Sequence, residues 1–537
     1  MRTSTSGAAL LIVFVLMLVL AALGAALLSQ LVGGAKSAAS VVDWQKALWV
    51  AEGGVNRGIK AIRDDGGAAA QTTSPAANGY CSLAYVEGGY GGSGIGYSGA
   101  SGSNYDRAAF HGTSWSSSTV YYATLNSVVN ANVTIWNFQQ AVNLIGSRLR
   151  NIEIVCRAIK DKSGGTDPVI QLQYSLNGGG SWSNAGAATG VSATSWLAGS
   201  YLYATVPLPA NPWQYVMNNN FRIRALRTNA GDRKCYIDWL ALRLTTEVDA
   251  PTEPWSTGSY ASFPLALGTG SIRSILISDE SGKIHLNYAS QTLLQRLMEY
   301  DGIASGTAAT LAAAIVSYRG AHWFTTIQEL KLVTGMTQAY YDLIDQDVTV
   351  YPWVNTLVTM PAGSRSPVNI NTAGRNSLRA VIRTGITDIA DVDSLADAII
   401  TQRATTPFTH MFSTYHTQAA TRDNGCLAGF LENQAYLDAT QRNQIRDAAD
   451  GSSYNTTLTG NWTAVAGTGT EFCYYSNAFM VLSQGISGSA TRAVAAVYGE
   501  RYDYTAYSVL TGGTLRPIAF IGQASPRGCW TLPTPIP

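Results

Sequence analysis

Five histidines are the residues of this chain best suited to acid–base catalysis or to binding a transition metal. None belongs to an HExxH motif, and His410 and His416 are six residues apart, which does not place them on one face of a helix. No GxSxG, P-loop or nucleotide-binding glycine motif occurs at a strand–helix junction. The sequence therefore predicts no catalytic residue and no enzymatic activity. The histidines are His111, His285, His322, His410 and His416.

Six cysteines are spaced too widely to form a CxxC pair, which excludes a zinc ribbon and a thioredoxin-type site. In an exported chain an even number of cysteines is compatible with disulfides. Cys156 and Cys235 lie in strand-like runs of one segment, so we expect this pair to be bonded. The six are Cys81, Cys156, Cys235, Cys426, Cys473 and Cys529.

Two acidic groups are the best candidates for a site that binds a hard cation. Asp388, Asp391 and Asp393 have a spacing compatible with calcium, but the same pattern is typical of a solvated helix start, where carboxylates favour the helix dipole. Asp279 and Glu280 are adjacent and follow a strand-like run. We therefore expect no metal or other cofactor, with calcium as the open alternative.

The composition describes an exported protein with several domains. The chain has 537 residues, enough for three or four domains of about 100–200 residues each. Its 35 Lys and Arg balance 34 Asp and Glu, and a net charge of +1 gives no reason to expect a nucleic-acid-binding surface. Only 13% of the residues are charged, while 53 Gly, 28 Tyr and 13 Trp are present, which is typical of a strand-rich secreted chain.

An uncharged run of 21 residues, 8–28, follows the polar leader of residues 1–7. A helix of this length is about 30 Å long, which matches the hydrocarbon thickness of a bilayer. Arg2 precedes the run and favours a cytoplasmic leader with the rest of the chain outside. A cleaved secretory signal is the alternative, with residues 23–26 as its cleavage site.

An amphipathic segment continues the same helix. Residues 38–63 contain no proline, and apolar residues recur there at helical spacing. The pattern predicts one helix over residues 8–65, whose first half faces lipid and whose second half packs on a globular head. Gly66 and Gly67 end it. The apolar residues are Val41, Leu48, Val55, Ile59 and Ile62.

A short polar leader that ends in glycine and is followed at once by such a helix resembles the type IV prepilins. In that family a membrane peptidase cleaves after the glycine and methylates the new N-terminus, which implies cleavage between Gly7 and Ala8. The helix is most similar to the K-type pseudopilins of type II secretion and the X-type minor pilins of type IV pili. Most members have Glu at the fifth mature position, where this chain has Ile12. In the family that absence marks the K-type subunit at the filament tip.

Residues 104–255 change to a period of two, which predicts an inserted β-sandwich of seven or eight strands. The preceding residues 66–103 are rich in Gly, Ser and Ala, which predicts a linker. Residues 175–182 resemble the Asp-box hairpin with Asn177 in place of Asp, a folding motif that implies no activity.

An internal repeat with an offset of 84 residues lies further along the chain. Residues 284–289 match residues 368–373, and residues 311–319 match residues 395–403. Each copy has an Asn, an Ala and an Arg at matching positions, and the Asn or a neighbouring Thr is expected to cap a helix. These are Asn287, Ala289 and Arg319 in the first copy (283–352), and Asn371, Ala373 and Arg403 in the second (353–450).

Both copies resemble the helix-hairpin-helix, or SAM-like, repeat of the K-type pseudopilins. Residues 279–287 also resemble a signature of that family, with His285 in place of an Asn. Helix-hairpin-helix units often bind DNA phosphates through the hairpin. Only Lys331 is near the hairpin of the first copy, so a scaffold role is favoured over nucleic-acid binding. K-type relatives can bind calcium, but their acidic loop has no clear match here.

The remaining strand-like runs lie in residues 256–282 and 451–537, and the resemblance places them in one small sheet on the long helix. The predicted fold class is therefore α+β. It combines a long N-terminal pilin helix with a small antiparallel sheet, an inserted β-sandwich and a tandem helix-hairpin-helix α-domain.

The resemblance implies a minor pseudopilin anchored in the inner membrane by a single span, with the bulk of the chain in the periplasm. Its expected partners are other minor pseudopilins or pilins through the N-terminal helix, the prepilin peptidase, and a secreted substrate or the outer-membrane secretin. Two alternatives stay open. One is a type IV pilus tip adhesin, and the other is a secreted glycan-binding or glycan-processing protein with a cleaved signal peptide.

Overall fold

The computed structural model consists of a long helix, a β-sandwich, a small antiparallel sheet and a tandem helical domain. The predicted α+β class, with a long apolar N-terminal helix and several antiparallel sheets, is confirmed. The structure describes residues 6–65, 80–86, 88, 95–98, 100–101, 123–138, 147–195, 200–207, 216, 220–258, 261–351, 368–385, 389, 391–409, 427–432, 434–438, 472–476, 478–499 and 516–524.

Helix α1 (Ser6–Asp65) runs for 60 residues, about 90 Å at 1.5 Å per residue. It contains no proline and ends directly before Gly66 and Gly67, as the sequence predicts. Every residue from 11 to 42 is exposed although most of them are apolar, whereas the second half buries one side. Among the described helices, α1 alone is long and apolar enough to cross a membrane.

The β-sandwich consists of two antiparallel six-stranded sheets. Its described strands are β1 (Tyr80–Val86), β2 (Ile95–Ser98), β3 (Ala100–Ser101), β4 (Ala123–Leu125), β5 (Asn132–Trp136), β6 (Arg148–Lys160), β7 (Val169–Ser175), β8 (Ser183–Asn184), β9 (Thr189–Gly190), β10 (Ser200–Val206), β11 (Arg222–Arg227) and β12 (Cys235–Val248). Sheet I has the order β10-β6-β12-β4-β3, with β1 also paired to β12. Sheet II has the order β2-β5-β11-β7-β8, with β9 also paired to β7.

The core of the sandwich comes from alternate residues of these strands. Side chains alternate across a strand, so a period of two marks one buried face. Ile154 and Leu242 of sheet I and Val133, Leu172 and Ile223 of sheet II are buried in one common cluster. The apolar residues that recur with a period of two in the sequence are therefore the ones that form this core.

The predicted boundaries of the sandwich need correction. The composition of residues 66–103 predicts a linker, but β1, β2 and β3 lie there and pair with β12, β5 and β4. The sandwich therefore begins at Tyr80 and has more strands than the seven or eight predicted. Gly and Ser obscure the alternation in β2 and β3, which are only four and two residues long, because neither residue type carries a hydrophobic signal.

The expected disulfide between Cys156 and Cys235 is not present, since both thiols are free and buried. The two residues lie on neighbouring strands, but the register places Cys156 opposite Leu240 and Cys235 opposite Lys160. A disulfide requires Cα atoms within about 7 Å. The two cysteines therefore lie in the same sheet, but they are not opposite each other on the paired strands.

The tandem helical domain repeats one pattern: a two-residue strand followed by two packed helices. The first copy contains β15 (Ile284–His285), α3 (Gln291–Tyr300), α4 (Ser305–Ala321), a 3₁₀ helix (Ile327–Leu332), α5 (Gln338–Ile344) and β16 (Val348–Thr349). The second contains β17 (Val368–Asn369), α6 (Arg375–Gly385), α7 (Val392–Thr405) and α8 (Leu427–Glu432), and β17 pairs with β18 (Phe472–Cys473).

Side-chain caps explain where these helices begin. Ser290 accepts a hydrogen bond from the backbone N of Leu293 (3.1 Å) at the start of α3. Thr326 and Glu329 form a capping box at the 3₁₀ helix. Each of these helix starts is therefore fixed by local sequence.

Sheet III supports the second half of α1. A short helix, α2 (Pro254–Thr257), connects the sandwich to this antiparallel sheet, whose order is β13-β14-β19-β20-β21. The strands are β13 (Leu265–Leu267), β14 (Gly270–Asp279), β19 (Ala478–Ser487), β20 (Ala490–Gly499) and β21 (Arg516–Ala524).

The backbone of α1 lies directly against β19. A Cβ added at Gly485 would be 2.3 Å from the carbonyl oxygen of Ala47 and 2.5 Å from the backbone N of Ala51. A Cβ at Gly54 would be 2.0 Å from the hydroxyl of Ser483. Small residues therefore bring helix and sheet together, and larger apolar residues fill the space on either side. These larger residues are Val50, Val55, Ile59 and Ile62 of α1 with Ile272, Ile275, Ile277 and Val481 of sheet III.

Replacement of Gly485 by Ala is expected to loosen α1 from sheet III, because the added methyl group would overlap helix backbone atoms that cannot rotate away. Overpacking of this kind costs roughly 1–3 kcal/mol. Thermal unfolding of the full-length protein in detergent, and trypsin cleavage at the exposed residues Arg57 and Lys60 of α1, would measure the effect.

Gly306→Ala is the matched control. A Cβ there meets nothing within 4 Å, and Gly306 lies inside α4, so the melting temperature should stay the same or rise slightly. Equal trypsin sensitivity of wild type and Gly485→Ala would contradict the close backbone contact.

Candidate functional site

One buried asparagine in each copy of the repeat closes a loop of the chain. Asn287 Nδ2 donates to the carbonyl oxygen of Phe324 (2.9 Å), and Asn287 Oδ1 accepts from the backbone N of Phe324 (2.9 Å). Asn371 makes the same two bonds with Phe408, at 2.9 and 2.8 Å. The two asparagines therefore do not cap helices, which corrects the sequence prediction. Their position in the repeat was visible in the sequence, but the bonds they make were not.

One arginine in each copy fastens the second helix to the start of the first. Arg319 Nη1 donates to the carbonyl oxygens of Leu286 (2.9 Å) and Ala289 (2.6 Å). At the equivalent place Arg403 Nη1 donates to the carbonyl oxygens of Ile370 (2.7 Å) and Ala373 (2.9 Å). The six matching positions thus hold two equal networks, 84 residues apart, which explains why these residue types recur.

Burial of these arginines is tolerated because backbone carbonyls surround them. Arg403 is almost fully buried, and this burial lowers the pKa of its guanidinium to about 10. Ala289 and Ala373 are buried as well, and their small side chains leave room for the guanidinium groups. The arginines are structural and do not lie free in a cleft.

The two copies differ two residues before each buried asparagine. In the second copy Asn369 Oδ1 accepts from the backbone N of Asn371 (3.0 Å), while its Nδ2 donates to Asp249 (2.8 Å). In the first copy His285 Nδ1 accepts the corresponding bond from the backbone N of Asn287 (3.1 Å). Burial lowers the pKa of His285 to about 3, so its ring is neutral. The histidine replaces the amide as acceptor, and only the second copy reaches Asp249.

A buried polar junction connects the sandwich, sheet III and the second copy of the repeat. The backbone N of Ser476 donates to Asp249 Oδ2 (2.5 Å), and the Ser476 hydroxyl donates to Asp279 Oδ2. Asn369 Nδ2 donates to Asp249 Oδ2, and the Thr372 hydroxyl donates to Asp279 Oδ2. Asp249 follows β12, Asp279 ends β14, and Ser476 precedes β19. This network of five residues, named the polar junction below, fixes three parts of the molecule against one another.

The polar junction places two carboxyl groups close together away from water. Burial and the neighbouring Asp279 raise the pKa of Asp249 well above its usual range. Burial also raises the pKa of Asp279 to about 6, although hydrogen bonds from Ser476 and Thr372 favour its charged form. The pair therefore holds a proton at mildly acidic pH, where ordinary carboxyl groups are ionised.

The acidic residues considered for calcium have structural partners. Asp391 accepts from the backbone N of Ser394 (2.9 Å) and caps α7, as expected for a helix start. Asp393 forms an ion pair with Arg379 (2.6 Å), and Glu280 forms one with Lys283 (2.7 Å). Asp388 lies outside the described residues. Within the described part of the chain, no group of three or more His, Cys, Asp or Glu could hold a metal ion.

The residues predicted for processing and assembly lie at the start of α1. Gly7 and Ala8 belong to the first turns of the helix. Ile12 is 60% exposed and lies in the apolar half. No acidic residue occurs in α1 before Asp43, so the apolar half offers no carboxylate to a neighbouring chain.

The polar junction was missed by sequence reasoning. Its members come from distant parts of the chain, and Asp249 and Ser476 are 227 residues apart. Asp279 stands out in the sequence as part of an acidic pair and of residues 279–287, which resemble a family signature. In the structure Asp279 accepts a hydrogen bond from the backbone N of Ser281 (2.7 Å) and belongs to the junction.

No protein-family model and no curated protein sequence matches this chain. Among solved structures, it is similar to the GspK-GspI-GspJ complex of the type 2 secretion system from enterotoxigenic Escherichia coli, with 14% identity over 52% of this chain and 87% of that chain and a TM-score of 0.31. It is also similar to a family 35 carbohydrate binding module from Clostridium thermocellum, with 13% identity over 30% of this chain and 97% of that chain and a TM-score of 0.18. TM-scores this low support no conclusion on function.

Replacement of Asp249 by Asn is expected to remove part of the pH dependence of stability. Because the folded pKa values of this pair lie above about 3.9, the unfolded value, their contribution to stability is present below about pH 4 and is lost as the pH rises through about 6. Asn keeps an acceptor oxygen but carries no charge. Melting temperatures between about pH 4 and pH 8 should therefore fall less steeply in Asp249→Asn than in wild type.

Asp249→Ala is the comparison variant. It leaves the Asn369 amide and the backbone N of Ser476 without their acceptor, which costs about 1–3 kcal/mol for each buried group. Asp249→Asn should be at least as stable as wild type at about pH 8, and Asp249→Ala should be less stable at every pH. Equal destabilisation by both variants would mean that the charged carboxylate is required.

Proposed function

We propose that this chain is a K-like minor pseudopilin that is anchored in the inner membrane by α1 and starts assembly of a type II secretion pseudopilus at its tip. The observation that carries the proposal is the division of α1 into two halves. An exposed apolar half, long enough to cross a bilayer, continues without a break into a half buried on sheet III. The same helix can therefore serve as anchor and as part of the folded head.

The first residues of α1 support a position at the filament tip. An N-terminal ammonium buried in lipid needs a counter-charge. In the resembled family that charge is the Glu at the fifth mature position of an adjacent subunit. This chain has Ile12 there and no acidic residue before Asp43, so it offers no such partner to a neighbour. The chain would therefore occupy the filament tip, where no adjacent subunit needs a carboxylate from it to balance an N-terminal ammonium.

The size of the head supports the same position. The sandwich, sheet III and the tandem repeat are joined by the polar junction into one bulky body behind a single helix. Such a body is difficult to repeat along a narrow helical fibre, whereas one copy at the end has room. Its partners would be other minor pseudopilins through α1, the prepilin peptidase, and a secreted substrate or the outer-membrane secretin, with the head in the periplasm.

Processing between Gly7 and Ala8 tests the proposal. Mass spectrometry of the protein purified from membranes should find an N-terminus at methylated Ala8. Gly7→Leu should block this cleavage, because the peptidase requires the small residue before the cut. Gly24→Leu is the control. Gly24 belongs to the alternative signal cleavage site, and a Cβ at this exposed helix position meets nothing within 4 Å. A mature chain that starts after residue 25, with cleavage lost only in Gly24→Leu, would contradict the proposal.

A type IV pilus tip adhesin is the second candidate, because the sandwich has a complete core and two outer faces of its own. Deletion of residues 80–247 keeps α1, sheet III and Asp249, and it separates the two roles. Loss of adhesion with intact filaments favours the adhesin. Loss of protein secretion with unchanged adhesion favours the pseudopilin.

A further inference from the structure

Two arginines on the outer face of sheet II have no carboxylate partner among the residues that the structure describes. Arg222 and Arg224 are two residues apart on β11, so their side chains leave the sheet on the same side. Both are half-buried, and among the described residues neither forms an ion pair with Asp or Glu. Four other arginines of the sandwich have a carboxylate partner, and the buried Arg227 of β11 donates to backbone carbonyl oxygens instead. The four are Arg150, Arg157, Arg233 and Arg243.

Each guanidinium group of the pair lies on a tryptophan ring. Arg222 Cζ is 4.4 Å from the ring centroid of Trp136, and Arg224 Cζ is 4.0 Å from that of Trp182. Arg224 Nε also donates to Gln173 Oε1 (2.7 Å). These contacts hold the planar groups in place before any ligand binds, so little conformational entropy remains to be lost.

Amide groups lie beside the arginines on the same face. Gln173 Nε2 donates to Asn184 Oδ1 (2.7 Å), and Asn184 is exposed. The amide of Asn184 therefore keeps its NH₂ group available as a donor to a ligand. The face combines two fixed cations with neutral hydrogen-bonding groups.

A glycine turn borders Arg222 and leaves it accessible. Gly178 and Gly179, with φ of 71° and 91°, lie in the hairpin between β7 and β8. A Cβ added at Gly179 would be 3.5 Å from the ring of Trp182 and 3.7 Å from Arg222. Because both residues are glycines, the turn places backbone and no side chain next to the guanidinium. Asn177 keeps the turn in this shape, because its Nδ2 donates to Ser181 Oγ and its Oδ1 accepts from the backbone N of Ser181.

We propose that this face, the Trp–Arg face (Trp136, Gln173, Trp182, Arg222 and Arg224), binds an acidic polysaccharide. Planar guanidinium groups bind carboxylate or sulfate oxygens in pairs of hydrogen bonds. The amide groups beside them exchange hydrogen bonds with sugar hydroxyls. The site does not depend on the role of α1, and it gives the sandwich a ligand whichever filament the subunit belongs to.

Nucleic acid fits the Trp–Arg face less well. Proteins that bind single strands use a long basic groove together with aromatic rings on which the bases stack. Here the guanidinium groups already lie on Trp136 and Trp182, so these two rings are not free to stack on bases.

Binding is measured with the full-length protein in lauryldimethylamine oxide micelles, because this detergent has no sugar headgroup to compete. The immobilised probes are polygalacturonate, dextran sulfate, dextran and an oligo(dT) strand. Wild type should bind at least one of the two acidic polysaccharides about tenfold more tightly than dextran. The stronger of the two acidic probes identifies carboxylate or sulfate as the preferred oxyanion.

Arg222→Gln/Arg224→Gln should lose about tenfold in affinity for that probe. Lys162→Gln/Lys234→Gln is the matched control, because it removes the same charge from two exposed positions of the sandwich away from the Trp–Arg face. The control should stay within about twofold of wild type. Equal losses in both variants, no preference over dextran, or tighter binding of oligo(dT) would each overturn the proposal.

A footprint on the wild-type chain keeps the test valid if the arginine variant does not fold. Phenylglyoxal modifies accessible guanidinium groups, and mass spectrometry then locates the modified residues. The bound acidic polysaccharide should protect Arg222 and Arg224 but leave Arg233, at the loop end of the sandwich, unprotected. Equal modification of Arg222 and Arg224 with and without the polysaccharide would overturn the proposal.

Discussion

The contact between the backbone of α1 and strand β19 is the constraint on which the rest of the molecule depends. It allows a helix with an apolar half to carry a large head without a flexible connection. The contact requires small residues on both sides, since Gly485 meets the helix backbone at Ala47 and Ala51, and Gly54 meets Ser483. Burial of Val55, Ile59 and Ile62 beside these small residues then contributes the hydrophobic free energy of docking.

The sandwich and the tandem repeat are attached to α1 and sheet III by buried hydrogen bonds as well as by hydrophobic contacts. Asp279 ends β14 and Ser476 lies two residues before β19, and both of these strands belong to sheet III, on which α1 is docked. Through Asn369 and Thr372 they hold the second copy of the repeat, and through Asp249 they hold the sandwich. The first copy, with His285 in place of the amide, stays outside this network. The second copy is therefore the one that takes part in the polar junction, while the first copy reaches the same region through the hydrogen bond from Thr349 to Glu280.

The sequence predicted the parts of this molecule better than their connections. Three sequence patterns predicted these parts: the uncharged run, the repeat offset of 84 and the period of two. Each pattern depends on spacing within a short segment of the chain, because a helix or a strand places its side chains at regular short intervals. The α1 interface was predicted only in part. Val41 is exposed and Leu48 half-buried, while Ala47, Ala51 and Gly54 form the close contact. Hydrophobic periodicity does not detect small residues that contribute by allowing approach.

The polar junction and the Trp–Arg face were beyond sequence reasoning for a different reason. Asp249 and Ser476 meet only after sheets from distant segments have assembled, so no spacing in the chain marks them. Arg222 and Arg224 are ordinary residues of an alternating strand until their neighbours are known. What distinguishes them is the contact of each guanidinium group with a tryptophan ring, together with the lack of an acidic partner within the described part of the chain.

The position of sheet III in the chain also sets the order in which the protein can be completed. A ribosome makes α1 first, but its receiving strands β19 and β20 begin at Ala478 and Ala490, after the sandwich and both repeats. During synthesis most of the docking side of the helix therefore stays uncovered until nearly the whole chain has been made. A polypeptide that stopped before residue 478 would keep its apolar helix and the strands of the sandwich, but it would lack the two strands on which the helix packs.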